Sequence, residues 1–380
     1  MSAGFTKMEL ISQIITLPKE ETPYKKAIHG GTNILESRDL SYGDILDFSA
    51  SISPLDISAN IFTVIRDTDL SKYPDPDCLI LKESIAKSLA KYSINPSNIS
   101  IGNGSTELIY AIASSFLYQN SDQQSKALIF HPTYGEYFTA CTLFKSEISL
   151  ITPEYTNPGW EWDWHLASNF IENNLLKVIF ICNPNNPTGN YFEKSQILQL
   201  LKSVRHSPTV LVIDEAYIDF VDQHDTLTDL VHSNNVILLR SMTKTYGITG
   251  LRLGYCLANP NIISQIDQHL PPWSVNSLAQ RAGLHLLSSN AYVDSAKEMV
   301  NRSKTYLTEQ LTSLGYVVEP SQTNFILIKV NDAHHIRSQL LNKRINVRDC
   351  TSFGLPQHIR IGVKSMEDCQ YFINAIQQIK

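Results

Sequence analysis

The chain has 380 residues, a formal net charge of −6 from 31 basic and 37 acidic side chains, and a hydrophobic content of 43%. A chain of this length can bury a large core and is more typical of two domains than of one, because single cores stop growing near roughly 250–300 residues. No long run of one charge occurs, which argues against nucleic-acid binding. No apolar stretch reaches the roughly 20 residues needed to cross a membrane, and MSAGFTKMELISQ at the N-terminus lacks a signal-peptide core.

Cysteine and histidine spacing gives no metal-site pattern. The six cysteines are scattered without a CxxC pair, and there is no HExxH among the eleven histidines. Several cysteines lie inside apolar runs, so we expect buried free thiols, which fits a reducing cytoplasm. The adjacent His334-His335 is interpreted as a surface pair, and no metal ligands are predicted.

The first part of the chain carries three local signals. Residues 1 to about 28, with an amphipathic segment from Met8 to Leu17, are interpreted as a loosely held arm. His29-Gly30-Gly31 could bring backbone amides and an imidazole to an anion, although a histidine before a plain turn is equally compatible. The loop from Lys72 to Pro76 is fixed by prolines and carries the phenol of Tyr73, and the pattern predicts a helix from Leu79 to Tyr92.

A series of apolar strands, each followed by a polar motif, predicts the central architecture. The motifs are GNGSTE at 102–107, which opens a helix from Glu107 to Leu117, then HPTY after Ala127–Phe130, NPNNPTG after Lys177–Cys182, DEAY after Thr209–Ile213, and SMTKTYGITGLR after Val236–Leu239. Strands of this kind, separated by helical segments, predict an α/β fold with a mostly parallel sheet and helices on both faces. Ligands of such sheets lie beyond the carboxyl ends of the strands, so the five motifs are expected to converge on one site.

Lys244 follows the last of these strands. It is flanked by the hydroxyls of Ser241, Thr243 and Thr245, with Arg252 eight residues further on. A lysine kept partly neutral can form a Schiff base with an aldehyde, and the neighbouring groups suit an anion such as phosphate. A single lysine is more often a solvated surface residue, and the glycine-rich turn alone is more often a plain capped helix start. The combination of motifs favours a chemical role.

Composition changes after Pro271-Pro272-Trp273. A long helical region from Asn276 to about Leu314 precedes alternating strands and a last helix, which predicts an α+β unit completed by the N-terminal arm. We therefore predict a large domain at 61–270 and a small domain formed by 1–60 and 271–380. The small domain carries three cations of interest, Arg348, Arg360 and Lys364. Arg360 lies in an alternating strand, predicted over Ile359–Val363, whose buried face would require an anionic partner. The other predicted elements are strands at Tyr316–Val318 and Phe325–Val330 and a helix at Met366–Ile379.

From Lys72 to its end, the chain resembles the pyridoxal-phosphate-dependent fold-type I aminotransferases of class I/II. The resemblance lies in GNGSTE, HPTYGEY, NPNNPTG, DEAY and SMTKTYGITGLRLGY. It implies that the cofactor is pyridoxal 5′-phosphate and that Lys244 bonds to its aldehyde. It also implies that Asp214 pairs with the pyridine nitrogen, which keeps that nitrogen protonated. The ring contacts that it implies come from Tyr217, Asn186 and Tyr134.

The same resemblance implies how the cofactor phosphate is held. The expected contacts are Ser105, Thr106, Ser241 and Arg252. Tyr73 resembles the tyrosine that reaches the cofactor phosphate of a neighbouring subunit, so a homodimer is expected.

Within this fold, the chain more closely resembles threonine-phosphate decarboxylases of cobalamin biosynthesis, with histidinol-phosphate aminotransferases as near relatives. The likeness lies in HGG at 29–31, DFSASISPLD, PPWSVNSLAQ and RDCTSFGLPQHIRIGVK. It implies that Arg360 binds the substrate carboxylate and that Arg348, His29-Gly30 and Lys364 hold the substrate phosphate. Ser51 and Ser53 stand where that group usually has asparagines, a departure in the substrate contacts.

Two reactions follow from the resemblance. In such enzymes the bond that stands perpendicular to the cofactor ring is the one that breaks, so the clamping of the substrate selects the reaction. We expect decarboxylation of L-threonine O-3-phosphate to 1-aminopropan-2-ol phosphate, with transamination of histidinol phosphate or a related amino acid as the alternative. A non-catalytic cofactor-binding regulator is disfavoured because Lys244, Asp214 and Tyr217 occur together.

Overall fold

The computed structural model describes residues 13–17, 26–31, 45–57, 59–118 and 124–379. In this part of the chain the strands are β1 Gln13–Thr16, β2 Leu46–Asp47, β3 Ile99–Gly102, β4 Lys126–Phe130, β5 Glu147–Thr152, β6 Glu154–Tyr155, β7 Trp160–Glu161, β8 Val178–Cys182, β9 Val210–Asp214, β10 Val236–Ser241, β11 Gly254–Ala258, β12 Val317–Val318, β13 Phe325–Lys329, β14 Ile345–Asn346, β15 Arg348–Asp349 and β16 His358–Gly362. The α-helices are α1 Ala59–Arg66, α2 Leu79–Ser88, α3 Gly104–Leu117, α4 Gly135–Leu143, α5 Trp164–Glu172, α6 Lys194–Val204, α7 Met242–Thr245, α8 Pro260–Asp267, α9 Ser277–Leu286, α10 Asn290–Ser313, α11 Ala333–Asn342 and α12 Met366–Gln377.

The larger sheet has eight strands in the order β1-β5-β4-β8-β9-β10-β11-β3. Its five central strands are parallel, from β5 to β10. The apolar sequences of β8 and β9 are buried along their whole length, as expected for strands covered on both faces. The prediction of an α/β fold with a mostly parallel sheet is confirmed.

Strand direction brings the polar motifs to one edge of this sheet. Strand β11 is antiparallel to both β10 and β3, so β3 runs in the same direction as the central strands. The carboxyl ends of β3, β4, β8, β9 and β10 therefore lie along the same edge. These are the strands that precede the five motifs, and the convergence expected from the sequence is present.

Alternation along the strands builds one hydrophobic core on each face of the larger sheet. In β8, Ile179 and Ile181 belong to the core formed with α2, α5, α6 and α9. Val178 and Phe180 point the other way, into the core formed with α3, α4 and α8. Because both faces are sealed by helices, the open edge at the strand ends is where a ligand can enter.

A second, four-stranded antiparallel sheet has the order β12-β13-β16-β15. Together with α10, α11 and α12 it forms a third core, which also takes in Tyr217 and Phe220 from the segment after β9. Strand β2 pairs with β14 in parallel beside this unit. The segment that follows β9 of the larger sheet thus packs directly into the core of the smaller unit.

The N-terminal part is divided between the two sheets. Strand β1 pairs antiparallel with β5 at the edge of the larger sheet, whereas β2 lies with β14. The interpretation of residues 1–28 as a loose arm is corrected at Gln13–Thr16, and residues 1–12 and 18–25 lie outside the described part of the chain. The domain boundaries at 60/61 and 270/271 stay a prediction.

Several predicted elements have different bounds. The helical region from Asn276 to Leu314 is two helices, α9 and α10, because the chain turns at 287–289. The predicted helix from Leu79 to Tyr92 ends at Ser88 and continues as a short 3₁₀ turn, Ala90–Tyr92. All six cysteines are buried free thiols, as predicted. Within the described residues, none of the helices combines the length and apolarity that a membrane span requires.

Candidate active site

Lys244 lies on α7, the single turn of helix that directly follows β10. Its side chain lines two adjoining cavities, one of about 640 Å³ and a smaller one of about 70 Å³. Burial lowers the pKa of Lys244 to about 8, and the charges of Arg360 and Arg252 act in the same direction while Asp214 opposes them. The amine can therefore be neutral or charged near neutral pH, as a nucleophile that also transfers protons requires.

Asp214, the last residue of β9, provides a buried carboxylate to the smaller cavity. The Tyr137 hydroxyl donates to its Oδ2 at 2.7 Å, and the amide of Ala216 donates to Oδ1 at 3.0 Å. Burial raises the pKa of Asp214, and the hydrogen bond from Tyr137 opposes that shift. Sequence reasoning missed Tyr137, although it lies inside the HPTYGEY motif.

Three more predicted residues surround the same cavity. Tyr134, Asn186 and Tyr217 line it together with Lys244 and Asp214. The Tyr134 hydroxyl lies 3.2 Å from Thr106 Oγ1, and burial raises the pKa of Tyr134 to about 12. Burial raises the pKa of Tyr217 as well, so both phenols stay protonated at neutral pH and can donate hydrogen bonds to an oxygen anion.

The start of α3 and the loop after α7 form an anion cradle. Ser105, Thr106, Ser241 and Arg252 line the smaller cavity. Gly104 has φ +78°, and a Cβ there would lie 2.5 Å from Arg252 Nη2. Only glycine lets the guanidinium approach the first turn of this helix, whose free amides already favour an anion. A phosphate fits this combination of hydroxyls, cation and helix N-terminus.

Arg360 and Arg348 face each other across the antiparallel pair of β16 and β15. Arg360 donates to the carbonyl of Ser49 at 2.8 Å and to Asn186 Oδ1. Arg348 donates to the carbonyl of Ile28 at 2.8 Å and to Ser352 Oγ at 2.5 Å. All these acceptors are uncharged. Burial, followed by the charge of Arg360, lowers the pKa of Arg348 to about 10.

His29 and Gly30 line the larger cavity with both arginines. A Cβ at Gly30 would lie 2.3 Å from the carbonyl oxygen of Ser49, so the segment can pass this close only with glycine. The Nε2 atom of His29 lies 2.5 Å from Oε1 of Glu136. Sequence reasoning missed Glu136, which gave no signal beyond its place in HPTYGEY.

Two predicted residues are not brought to these cavities. Lys364 would share the face of Arg360 if β16 continued, but the strand ends at Gly362 and the amide of Val363 donates to the carbonyl of Asn324. The charges that act on Lys364 are those of Asp47 and Asp368. Tyr73 is 82% exposed and packs against Trp273, with ring centroids 5.0 Å apart.

The two serines that depart from the expected asparagines lie beside the site. Ser51 lines the larger cavity, and its buried hydroxyl has no hydrogen-bond partner among the described residues. The amide of Ser53 donates to the carbonyl of Lys244 at 2.9 Å. Ser53 thus supports the backbone of Lys244, while Ser51 offers a hydroxyl to the cavity. Within the described residues, no cluster of three histidine, cysteine or acidic side chains could bind a metal ion.

The model of the family "Aminotransferase class I and II" matches residues 39–376. The chain belongs to this family. Like its fold-type I members, this aminotransferase-family enzyme uses pyridoxal 5′-phosphate. The site fits that cofactor, because one small cavity combines an amine, a buried carboxylate, phenols and a phosphate cradle.

Relatives of the enzyme carry two different activities in their names. It is 31% identical over 328 residues to the histidinol-phosphate aminotransferase of Thermoanaerobacter sp. (strain X514), covering 86% of this chain and 89% of that protein. It is 34% identical over 369 residues to the adenosylcobalamin biosynthesis bifunctional protein CobDQ of Leptospira interrogans, covering 92% of this chain and 41% of that protein. The crystal structure of L-threonine-O-3-phosphate decarboxylase from Porphyromonas gingivalis matches with a TM-score of 0.75 and 27% identity, covering 88% of this chain and 99% of that one.

Proposed function

We propose that the enzyme decarboxylates L-threonine O-3-phosphate to 1-aminopropan-2-ol phosphate. The observation that carries the proposal is the pair of buried guanidiniums, Arg348 and Arg360, in one cavity with His29. Two like charges held together out of water require anions. A substrate with a carboxylate and a nearly dianionic phosphate supplies both at once.

The charge count favours this substrate over histidinol phosphate. Histidinol phosphate carries a phosphate but no carboxylate, so both guanidiniums would have to share its single anionic group. Each of the two arginines also has donors committed to neutral protein oxygens, which fixes its orientation toward the cavity. Fixed cations of this kind bind anions without reorganising when the substrate arrives.

The side chains of this site divide the work of decarboxylation. Pyridoxal phosphate supplies an electron sink for the α-carbon when it is bound. Asp214 would pair with the pyridine nitrogen of the cofactor and keep it protonated. Tyr217 and Asn186 would donate hydrogen bonds to the cofactor ring. Arg360 would bind the substrate carboxylate, and Arg348 the phosphate, which sets the orientation of the bond between the α-carbon and the carboxylate.

Loss of carbon dioxide leaves an electron pair on the α-carbon that must receive a proton. Lys244 can hold that proton and donate it, since its pKa is lowered to about 8. Lys244 then recovers a proton from water. In the net reaction a proton replaces the carboxylate on the α-carbon and carbon dioxide is released, so neither an oxidant nor an oxo acid is needed.

The alternative is transamination of histidinol phosphate. It is favoured by the 31% identity to the Thermoanaerobacter aminotransferase over 86% of the chain. The phosphate is common to both substrates, so Arg348 could bind it in either reaction, and only the carboxylate contact of Arg360 distinguishes them.

A direct assay separates the two reactions. The enzyme is incubated with pyridoxal phosphate and L-threonine O-3-phosphate without any oxo acid, and the released carbon dioxide is measured. In parallel it receives histidinol phosphate with 2-oxoglutarate, and glutamate is measured. We expect carbon dioxide with the first substrate. Absence of carbon dioxide, together with glutamate formation in the second assay, would reject decarboxylation.

We also propose that the enzyme acts as a homodimer. Support comes from a set of large apolar side chains exposed on and around α1 and α2: Phe62, Leu70, Tyr73, Ile80 and Trp273. Tyr73 is exposed and lines neither cavity of its own chain, so the proposed contact with a cofactor phosphate would be made in a neighbouring subunit. Sedimentation of the purified protein at twice the mass of one chain is the expected result, and a monomer would contradict it.

A further inference from the structure

Glu136 is a buried carboxylate in the first turn of α4, and it is not among the residues that line the smaller cavity. Its side chain is 9% exposed. Oε1 lies 2.5 Å from His29 Nε2, and Oε2 accepts a hydrogen bond of 2.6 Å from the Tyr110 hydroxyl. A carboxylate out of water is costly unless both oxygens are satisfied. The hydrogen bond with His29 is the largest cause that lowers the pKa of Glu136, so the group is ionised at neutral pH.

The partner of Glu136 belongs to a short segment, residues 26–31, that contacts α4 on one side and β15 on the other. On one side, Gly135 leaves room for this segment, because a Cβ there would lie 3.1 Å from the Cβ of Ala27. On the other side, Arg348 Nη2 donates to the carbonyl of Ile28, and the amide of Gly31 donates to Ser49 Oγ at 2.7 Å. The segment is thus attached to α4 at one contact and to β15 at another.

The position of His29 suits a ligand as well as a partner for Glu136. Its side chain is 47% exposed, and it lines the larger cavity together with Arg348. The Tyr134 ring, which lines both cavities, has its centroid 5.6 Å from that of His29. A histidine needed only to satisfy Glu136 could be covered by protein, whereas this one faces the space that the substrate would occupy.

The chemistry of imidazole links the two contacts. The Nε2 atom faces a carboxylate, so it carries a hydrogen and donates it. When the ring is doubly protonated, the second nitrogen also donates, and Glu136 balances the charge of the ring. A phosphate group accepts strongly from charged donors of this kind.

We propose that Glu136 is a positioning residue that holds the His29 imidazole at the wall of the larger cavity, where His29 binds the phosphate of the substrate alongside Arg348. This inference rests on the proposed function for the presence of a phosphate, which both candidate substrates carry, and it adds Glu136 to the phosphate contact already expected of His29. Glu136 itself acts through His29 and touches neither substrate nor cofactor.

The test compares Glu136→Gln, His29→Gln and the double variant of the holoenzyme. Gln at 136 keeps the size of the side chain and can still meet Tyr110, but it removes the charge opposite His29. Glu147→Gln is the matched control, because Glu147 forms an ion pair with Lys126 at 2.9 Å away from both cavities. The readouts are kcat and KM for whichever phosphorylated substrate the wild type converts, and the competitive inhibition constant of inorganic phosphate.

Loss of a charge-assisted contact predicts that each single variant raises KM and the phosphate inhibition constant about tenfold, while kcat stays within about twofold. The double variant should lose no more than either single one, since both changes remove the same ligand. The control should match the wild type in all three quantities. The cofactor absorbance should be the same in all variants.

Two outcomes would overturn the inference. One is that the two losses multiply in the double variant. The other is that Glu136→Gln lowers kcat but leaves KM and the phosphate inhibition constant unchanged, which would indicate a merely structural role. If Glu136→Gln does not fold, His29→Gln decides alone, and an unchanged KM contradicts the proposal. A wild type that converts only histidinol phosphate rejects the proposed decarboxylation, and the Glu136 test is then made on that substrate.

Discussion

Burial brings the pKa values of Lys244 and Asp214 toward neutrality from opposite sides. It is the largest cause of both shifts, lowering the pKa of the amine and raising that of the carboxylate. What limits the shift of Asp214 is the pair of hydrogen bonds that the carboxylate accepts. The ionisation of Asp214, and with it the charge opposite a cofactor ring nitrogen, therefore depends on the uncharged hydroxyl of Tyr137.

This dependence leads to a prediction for Tyr137→Phe. Removing the hydroxyl removes a bond that lowers the pKa of Asp214, so that pKa rises further. The carboxylate then becomes protonated at a higher pH, and the acid limb of kcat/KM should move upward in pH. We expect kcat/KM at the pH optimum to fall about tenfold. This corresponds to the loss of one charge-assisted hydrogen bond, which contributes roughly 1.5 kcal/mol.

A pH series of initial rates measures this shift. Tyr371→Phe is the control, since Tyr371 is half exposed on α12 and its hydroxyl donates only to the carbonyl of Lys343 at 3.4 Å among the contacts described. An acid limb that stays in place in Tyr137→Phe, or moves to lower pH, would show that Tyr137 does not tune Asp214.

At the scale of elements, the sequence predicted which polar motifs follow the strands of the larger sheet, but not the contacts that α4 makes. The strands β4, β8, β9 and β10 are continuous apolar runs, and each motif follows at the edge where parallel strands end. Periodicity therefore predicted that the motifs converge at one edge, whereas the roles expected of the residues from Ser105 to Arg252 come from the family resemblance. Tyr137 and Glu136 lie on α4, a helix that the sequence reasoning did not recognise, so their contacts could not be anticipated.

Short elements account for the remaining differences. Strands β14 and β15 have two residues each, too few for any period to show. Strand β16 ends at Gly362, two residues before Lys364, and Ser365 then caps α12 by accepting from the amide of Asp368. For that reason Arg360 was correctly expected on a buried strand face, whereas Lys364 was expected beside it and lies elsewhere.

The start of α3 provides a prediction for Gly104→Ala. The backbone there has φ +78°, which costs an L-residue roughly 1–2 kcal/mol, and the new Cβ would displace the guanidinium of Arg252. We expect the dissociation constant of pyridoxal phosphate to rise about tenfold, corresponding to roughly 1.4 kcal/mol of binding free energy. Titration of the cofactor by absorbance measures it.

Gly250→Ala serves as the control for this substitution. Nothing lies within 4 Å of a Cβ at Gly250, and its φ lies outside the left-handed region. Equal cofactor affinity in Gly104→Ala and the wild type would contradict a phosphate cradle at this helix start.

At the scale of the molecule, polar contacts attach the hairpin of β6 and β7, a separate two-stranded sheet, to the four-stranded sheet. Glu319, which is 1% exposed, accepts hydrogen bonds from the Tyr155 hydroxyl at 2.8 Å and from the amide of Gly159 at 2.7 Å. His358 Nε2 on β16 lies 3.5 Å from the same carboxylate. The hairpin of β6 and β7 is thereby attached to the sheet that carries Arg348 and Arg360.

We expect Glu319→Gln to destabilise this junction. The amide of Gln cannot accept on both sides, so one buried donor loses its partner, which costs roughly 1–3 kcal/mol. Urea unfolding measures the loss. Glu172→Gln is the control, because Glu172 is exposed and accepts only from Ser203 Oγ at 3.0 Å among the contacts described. Equal unfolding free energies for the two variants would contradict a stabilising role for Glu319.

The roles proposed for all other residues of the site require that Lys244 forms the covalent bond to the cofactor. The measurement that tests it most directly is borohydride reduction of the holoenzyme, followed by proteolysis and mass spectrometry of the peptides. We expect one pyridoxyl label, on the peptide that contains Lys244, and none in Lys244→Ala. A label on a different lysine, or no label on the reduced wild type, would contradict it.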